Sequence, residues 1–174
     1  MAMKWNKTVL YKIEKPKRRG FMHIYEKLKE LNLTMPEVPA KGGLYTPCME
    51  FGDNLAYISG CGPAIGDKKP CGKLGKEYTT EEGMEWARNS MLNVLAVLEK
   101  QVGDLNKVKK AVKILVFVAS DDEFTEQPMV ANGASALLGE LFGAKNLPSR
   151  SAIGVNVLPG NIPVEIEAIF ELEK

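Results

Sequence analysis

Histidine is nearly missing from this sequence: His23 is the only one in 174 residues. A Ser-His-Asp or Cys-His catalytic arrangement, or the histidine pair of an acid-base ribonuclease, has almost no material to be built from. Cysteine is scarce as well. Cys48, Cys61 and Cys71 make an odd count with no CxxC pair, which argues against a disulfide framework and for a reducing compartment. A zinc site would need all three thiols to converge with a fourth ligand, so reduced thiols and no metal are expected. No apolar run approaches the length of a membrane span. An excess of one charge is lacking too: the net charge is +1, so no global field draws the chain to nucleic acid or anionic lipid.

What is present is the composition of an ordinary globular domain. With 45% hydrophobic and 26% charged residues over 174 positions, one domain can bury a core without staples. The charge is unevenly spread. Residues 1–20 hold Lys4, Lys7, Lys12, Lys15, Lys17, Arg18 and Arg19 against Glu14, so they carry 7 − 1 = +6 and the rest must sum to −5. This basic arm is expected to be a solvated terminus, with organellar targeting or contact with nucleic acid as its other readings. Residues 21–174 are expected to form a single domain in the cytoplasm.

The pattern along the chain predicts a helix, two strands, a long helix, a strand, a helix and two strands. Phe21 to Asn32 places Ile24, Leu28 and Leu31 on one helical face. Leu44 to Phe51 and Leu55 to Ser59 read as strands around a "GDN" turn. The "GCGPAIG" that follows lacks GxGxxG spacing and a following helix, so no nucleotide loop is expected. Thr79 and Glu82 form a capping box for a helix reaching Val102. Val108 to Ala119 is a central strand, apolar on both faces in its second half. Gln127 to Phe142 is a helix with Val130, Leu137, Leu138 and Leu141 inward. The expected class is α+β, with two main helices packed on one face of a mixed sheet.

The chain closes on "PSRSAIGVNVLPGNIPVEIEAI", which reads as two strands joined by a tight turn. Alternation puts Ile153, Val155 and Val157 on one face and Arg150, Ala152, Gly154 and Asn156 on the other. In the last strand Val164, Ile166, Ala168, Phe170 and Leu172 share a face, opposite Glu165, Glu167, Ile169 and Glu171. The apolar faces are expected to meet the helices. Small residues such as Ala152 and Gly154 on the second face suggest close approach of another backbone or a ligand. If Leu158 lies opposite Pro163, Glu165 lies opposite Asn156 and Arg150 is six residues further on, roughly 20 Å away.

These residues resemble the signature segment of the Rid family, the YjgF-like reactive intermediate deaminases that also carry the L-PSP endoribonuclease name. "LAYISGCGP" resembles the family's strand ending in Ser-Gly, and "NSMLNVLAVLEKQVGDLNKVKKAVKILVFVAS" resembles its long helix and next strand. The resemblance runs from about Leu44 to Leu172, most of the chain. It departs at Ala152, where the family often has cysteine, and at Cys61, where it often has glutamine. "NGASALLGELFG" and the N-terminal helix resemble a divergent branch.

The resemblance implies a chorismate-mutase-like fold, a homotrimer with clefts between subunits, and no cofactor. It implies hydrolysis of enamines and imines such as 2-aminoacrylate to 2-keto acids and ammonia. Arg150 would hold the substrate carboxylate and Glu165 would position water. Tyr45, Ser59, Asn132 and Ala152 would line the cleft. An arginine fork suits a carboxylate, and an already electrophilic imine chiefly needs orientation and a water. Two other readings stand beside this one: a non-catalytic carboxylate-binding trimer, and an endoribonuclease or translation inhibitor. For the last, only the basic arm offers an electrostatic footprint. On residues alone, Arg150 reads as a surface arginine at a strand start and Glu165 as a solvated strand residue.

Overall fold

A computed structural model of the protein describes residues 24–173; the basic arm and His23 lie outside them. Five strands form one mixed sheet: β1 (Cys48–Phe51), β2 (Leu55–Cys61), β3 (Val108–Ala119), β4 (Ser149–Val155) and β5 (Val164–Leu172). Their spatial order is β1-β2-β5-β3-β4. Only β3 and β4 run parallel. Among the described residues four α-helices accompany the sheet, α1 (Ile24–Glu30), α2 (Thr80–Val102), α3 (Gln127–Val130) and α4 (Asn132–Phe142). With α2 and α4 as the main helices on one face of the sheet, this is the α+β arrangement the sequence predicts.

Local chemistry explains α2. The Thr79 hydroxyl accepts the Glu82 N–H, and the Glu82 carboxylate accepts the Thr79 N–H, so two orphan donors of the first turn are satisfied. Every residue from Ser90 to Leu98 is buried, because α2 is covered on several sides, by the sheet, by α4 beside it and by the loop whose Gly62 and Ala64 carbonyls accept from Asn93, instead of presenting a single stripe. The period-two face of β5 is buried throughout: Val164, Ile166, Ala168, Phe170 and Leu172.

Four expectations are corrected. The strand expected from Leu44 begins only at Cys48, since the bend over residues 42–45 delays pairing. The helix expected over Gln127 to Phe142 is interrupted between Val130 and Asn132. Just beyond the break α4 crosses α2 at backbone contact. A Cβ on Gly133 would lie 1.9 Å from the Met84 carbonyl oxygen, so only glycine allows this approach, which anchors Asn132 beside it.

The third correction concerns the terminal strands, which are not a hairpin. The connection is tight, with Gly160 at φ 66° and Asn161 at φ 55°, but β3 lies between β4 and β5. The connection straddles the end of β3, where Ser120 N–H reaches Val155 O and Ala119 N–H reaches Pro163 O, at 3.2 and 2.9 Å. A long apolar strand hydrogen-bonded on both sides outcompetes a two-stranded ribbon.

The fourth is the face of β4. Arg150, Ala152 and Gly154 pair with Ile114, Val116 and Val118 of β3, whose side chains are fully buried under the helices. Paired residues share a face, so it is Arg150, Ala152 and Gly154 that look toward the helices. Ile153 is 43% exposed on the open face. The small residues do mark a close approach, but it comes from α3 of the same chain: a Cβ on Gly154 would sit 2.7 Å from Gln127 Nε2.

Candidate functional site

Arg150 sits on the outermost strand, β4, turned toward α4. Its Nη1 donates to Asn132 Oδ1 at 2.8 Å and to Ser135 Oγ at 3.1 Å. Both acceptors are neutral. Asn132 and Ser135 are three residues apart on α4, so they lie on one helical face. The guanidinium is half-buried, and burial pulls its pKa below the ordinary arginine value. An arginine stays charged nonetheless. Among the described residues no carboxylate forms an ion pair with it. A partly desolvated cation without a counter-charge favours an anionic ligand.

Glu165 is the complementary case on the opposite face of the sheet. It pairs with Phe117 of β3 and its side chain enters a notch at the irregular end of β2, where the register shifts between Ile58 and Cys61. The notch exists because residue 60 has no side chain: a Cβ on Gly60 would lie 1.8 Å from Glu165 Oε1. Burial first, and the neighbouring Glu167 charge second, push the Glu165 carboxyl above the usual carboxylate range. No hydrogen bond or ion pair engages its carboxylate among the described residues. Glu167 differs, accepting the Tyr57 hydroxyl at 2.7 Å. Cys61, beside Glu165, has its thiol pKa pushed up to about 12 by burial and then by the Glu165 charge, so it is not a thiolate nucleophile.

Of the residues singled out from sequence, the structure brings Asn132 to Arg150 and places Ala152 two positions on, on the same face. Ser59 lies at the β2 irregularity next to Gly60, its N–H bonded to Pro47 O at 2.9 Å. Tyr45 lies in the bend before β1, 40% exposed, with Gly42 N–H 3.4 Å from its hydroxyl. Neither Tyr45 nor Ser59 is hydrogen-bonded to Arg150 or Glu165. Those two charges are not brought together within one chain. Along β3 their partners, Ile114 and Phe117, are three residues apart, about 10 Å, and the side chains leave opposite faces of the sheet. The concavities beside Met35 and beside Phe124 contain neither residue.

Sequence reasoning missed Ser135 and Gly60. Ser135 carried a usable signal, its i+3 spacing from Asn132. Gly60 carried none, because its role depends on a side chain 105 positions away in the chain. Among the described residues no three His, Cys, Asp or Glu side chains group to hold a metal ion, and no helix is long and apolar enough to cross a membrane.

Comparison with known proteins gives a consistent picture. The family model described as "YjgF/chorismate_mutase-like, putative endoribonuclease" matches residues 26–171. Protein TCP17 of Trypanosoma cruzi is 38% identical over 148 residues, 83% of this chain and 91% of that protein. A 2-iminobutanoate/2-iminopropanoate deaminase of Dermatophagoides farinae is 27% identical over 146 residues, 81% of this chain and 95% of that one. The crystal structure of Atu1372 from Agrobacterium tumefaciens, 38% identical, superposes with a TM-score of 0.79 and covers 86% of this chain and 92% of that chain.

Proposed function

The chain belongs to the YjgF/chorismate mutase-like family, and on that premise we propose that it hydrolyses small 2-imino acids of the 2-aminoacrylate type to 2-keto acids and ammonia, at sites shared between the chains of a homotrimer. The observation that carries this reading is the pair of unmatched, half-buried charges: a guanidinium with only neutral partners and a carboxylate with none. Together they suit a substrate that is itself a carboxylate and must be attacked by water.

The chemistry needs little else. 2-Aminoacrylate tautomerises to 2-iminopropanoate. Arg150 holds its carboxylate and so fixes C2. Glu165 accepts a proton from water as the oxygen adds to C2 of the protonated imine, which gives a neutral carbinolamine. That proton then passes to the amine, and as the C–N bond breaks the hydroxyl gives its own proton to Glu165 and becomes the keto C=O. The C=N bond is replaced by C=O, the nitrogen leaves as ammonia with the proton from Glu165 following it into water, and no electrons are lost or gained. A carboxyl pKa raised above the usual carboxylate range is better matched to this proton traffic than an ordinary one. The open sheet face, with Tyr57, Leu115, Phe117, Ile153 and Ile169, supplies the surface on which a second copy would seat.

The test is release of ammonia and 2-keto acid from 2-aminoacrylate generated in situ. A non-catalytic carboxylate binder would bind 2-ketobutanoate and release nothing above the uncatalysed rate. Two finer outcomes are expected. The acid limb of kcat/KM should lie above the usual carboxylate range, because activity is lost as pH falls through the raised pKa of Glu165. Glu167→Gln removes the neighbouring charge while keeping an acceptor for Tyr57, so it should move that limb to lower pH; a limb that stays in place, or rises, counts against Glu165 as the base. Gly60→Ala fills the Glu165 notch. The group displaced is the end of a flexible side chain, so the melting temperature should change by only a few degrees while kcat falls about tenfold or more. Wild-type kcat in Gly60→Ala would mean that the notch does not position the carboxylate.

A further inference from the structure

The five N–H donors of a guanidinium form a fixed fork: two on each terminal nitrogen and one on Nε. In Arg150 both donors of Nη1 are spent on the protein, one on Asn132 Oδ1 and one on Ser135 Oγ. Each acceptor is itself oriented. Ser135 Oγ donates its own hydrogen to Ala131 O at 3.3 Å, which turns a lone pair toward Arg150. The Asn132 amide donates through Nδ2 to Met129 Sδ at 3.7 Å, which leaves Oδ1 facing the arginine. Within the described residues nothing accepts from Nε or Nη2 of Arg150.

We propose that Ser135, together with Asn132, commits Nη1 of Arg150 to the protein and thereby presents the Nε/Nη2 edge as the receptor for the substrate carboxylate, making Ser135 a positioning residue for carboxylate affinity. The inference rests on the deaminase reading for its ligand but not for its geometry. A bidentate pair can form at either edge of the fork, and a carboxylate at the Nη1/Nη2 edge would have to displace one of the two α4 acceptors. Side-on capture at Nε and Nη2 displaces nothing. Two anchor points on Nη1 also stop rotation of the guanidinium plane, which is the freedom that a carboxylate would otherwise have to freeze on binding.

The experiment measures 2-ketobutanoate binding and steady-state deamination in the full chain, with an NMR reading of the Arg150 Nε–H resonance, assigned by its absence in Arg150→Lys. Saturating 2-ketobutanoate should shift that Nε–H downfield. Ser135→Ala should raise KM and the 2-ketobutanoate Kd about five- to tenfold with kcat changed less than twofold, and Ser135→Thr, which keeps the acceptor, should restore both to within twofold. A ligand that binds without moving the Nε–H signal overturns the edge assignment. Unchanged Kd in Ser135→Ala overturns the role of Ser135. Wild-type protein that neither binds 2-ketobutanoate nor releases ammonia overturns the carboxylate reading itself, and with it this one.

Discussion

Arg150→Lys should lose at least about a hundredfold in kcat/KM, equivalent to ~2.7 kcal/mol of transition-state stabilisation, while the fold survives. The positive charge remains, so the loss measures geometry. A lysine ammonium is a point charge with three rotatable donors; the fork that can grip the two Nη1 acceptors and a carboxylate at once is gone. Stability should change little, because Arg150 forms no ion pair among the described residues, and its removal strands no buried carboxylate. Asn132 and Ser135 are themselves half-buried and can turn to water. Circular dichroism and thermal melting establish the fold, and ammonia release gives the rate. Near-normal kcat/KM in a folded Arg150→Lys protein would mean that any cation there suffices and would remove the arginine from the carboxylate-binding role.

Mixing two dead proteins should restore activity. Arg150→Ala and Glu165→Ala are each expected to be nearly inactive, the first for want of a carboxylate anchor and the second for want of a base. In one chain the two side chains leave opposite faces of the sheet, about 10 Å apart along β3, and a three-carbon acid cannot reach through a strand layer. A shared site pairs the Arg150 of one subunit with the Glu165 of the next. In a randomly reassembled ring, half of the arginine donors and half of the glutamate donors are intact, so about one interface in four holds both and about a quarter of wild-type activity should return. Exchange of subunits is checked by mass spectrometry of differently labelled chains. Mixed assemblies as inactive as either parent would show that the two residues do not cooperate across an interface. Absence of mixed assemblies, with the wild-type chain monomeric and active, would show that no interface is needed.

Much of the architecture was legible because it depends on neighbours in sequence. The capping box of Thr79 and Glu82 closes within four residues, and the inward positions Val130, Leu137, Leu138 and Leu141 are buried as their spacing predicts. The buried face of β5 follows from strict alternation. Arg150, Glu165 and Asn132 could be singled out as residues, but their environments could not, nor could the bond between Asn132 and Arg150. The notch at Gly60 and the acceptor at Ser135 arise from contacts between segments that sequence alone does not bring together.

The limit is clearest in β4. Its two alternating sets, Arg150, Ala152 and Gly154 against Ile153 and Val155, are correct as sets within Ser149–Val155, because alternation is a property of the extended backbone; Val157, read into the second set, lies beyond the strand. Which set meets the helices was inverted. Hydrophobicity is a guide to the inward face only when a strand has one buried and one wet face; in β4 the helix side is crowded by Gln127 of α3 and holds the half-buried Arg150, while the apolar set faces outward onto an open sheet surface. The same holds for the turn at Gly160 and Asn161. Its tightness is local and was read from four residues. That β3 lies between the strands it connects depends on how a twelve-residue strand competes for hydrogen-bond partners across the whole sheet, and this long-range competition is settled only when the chain folds.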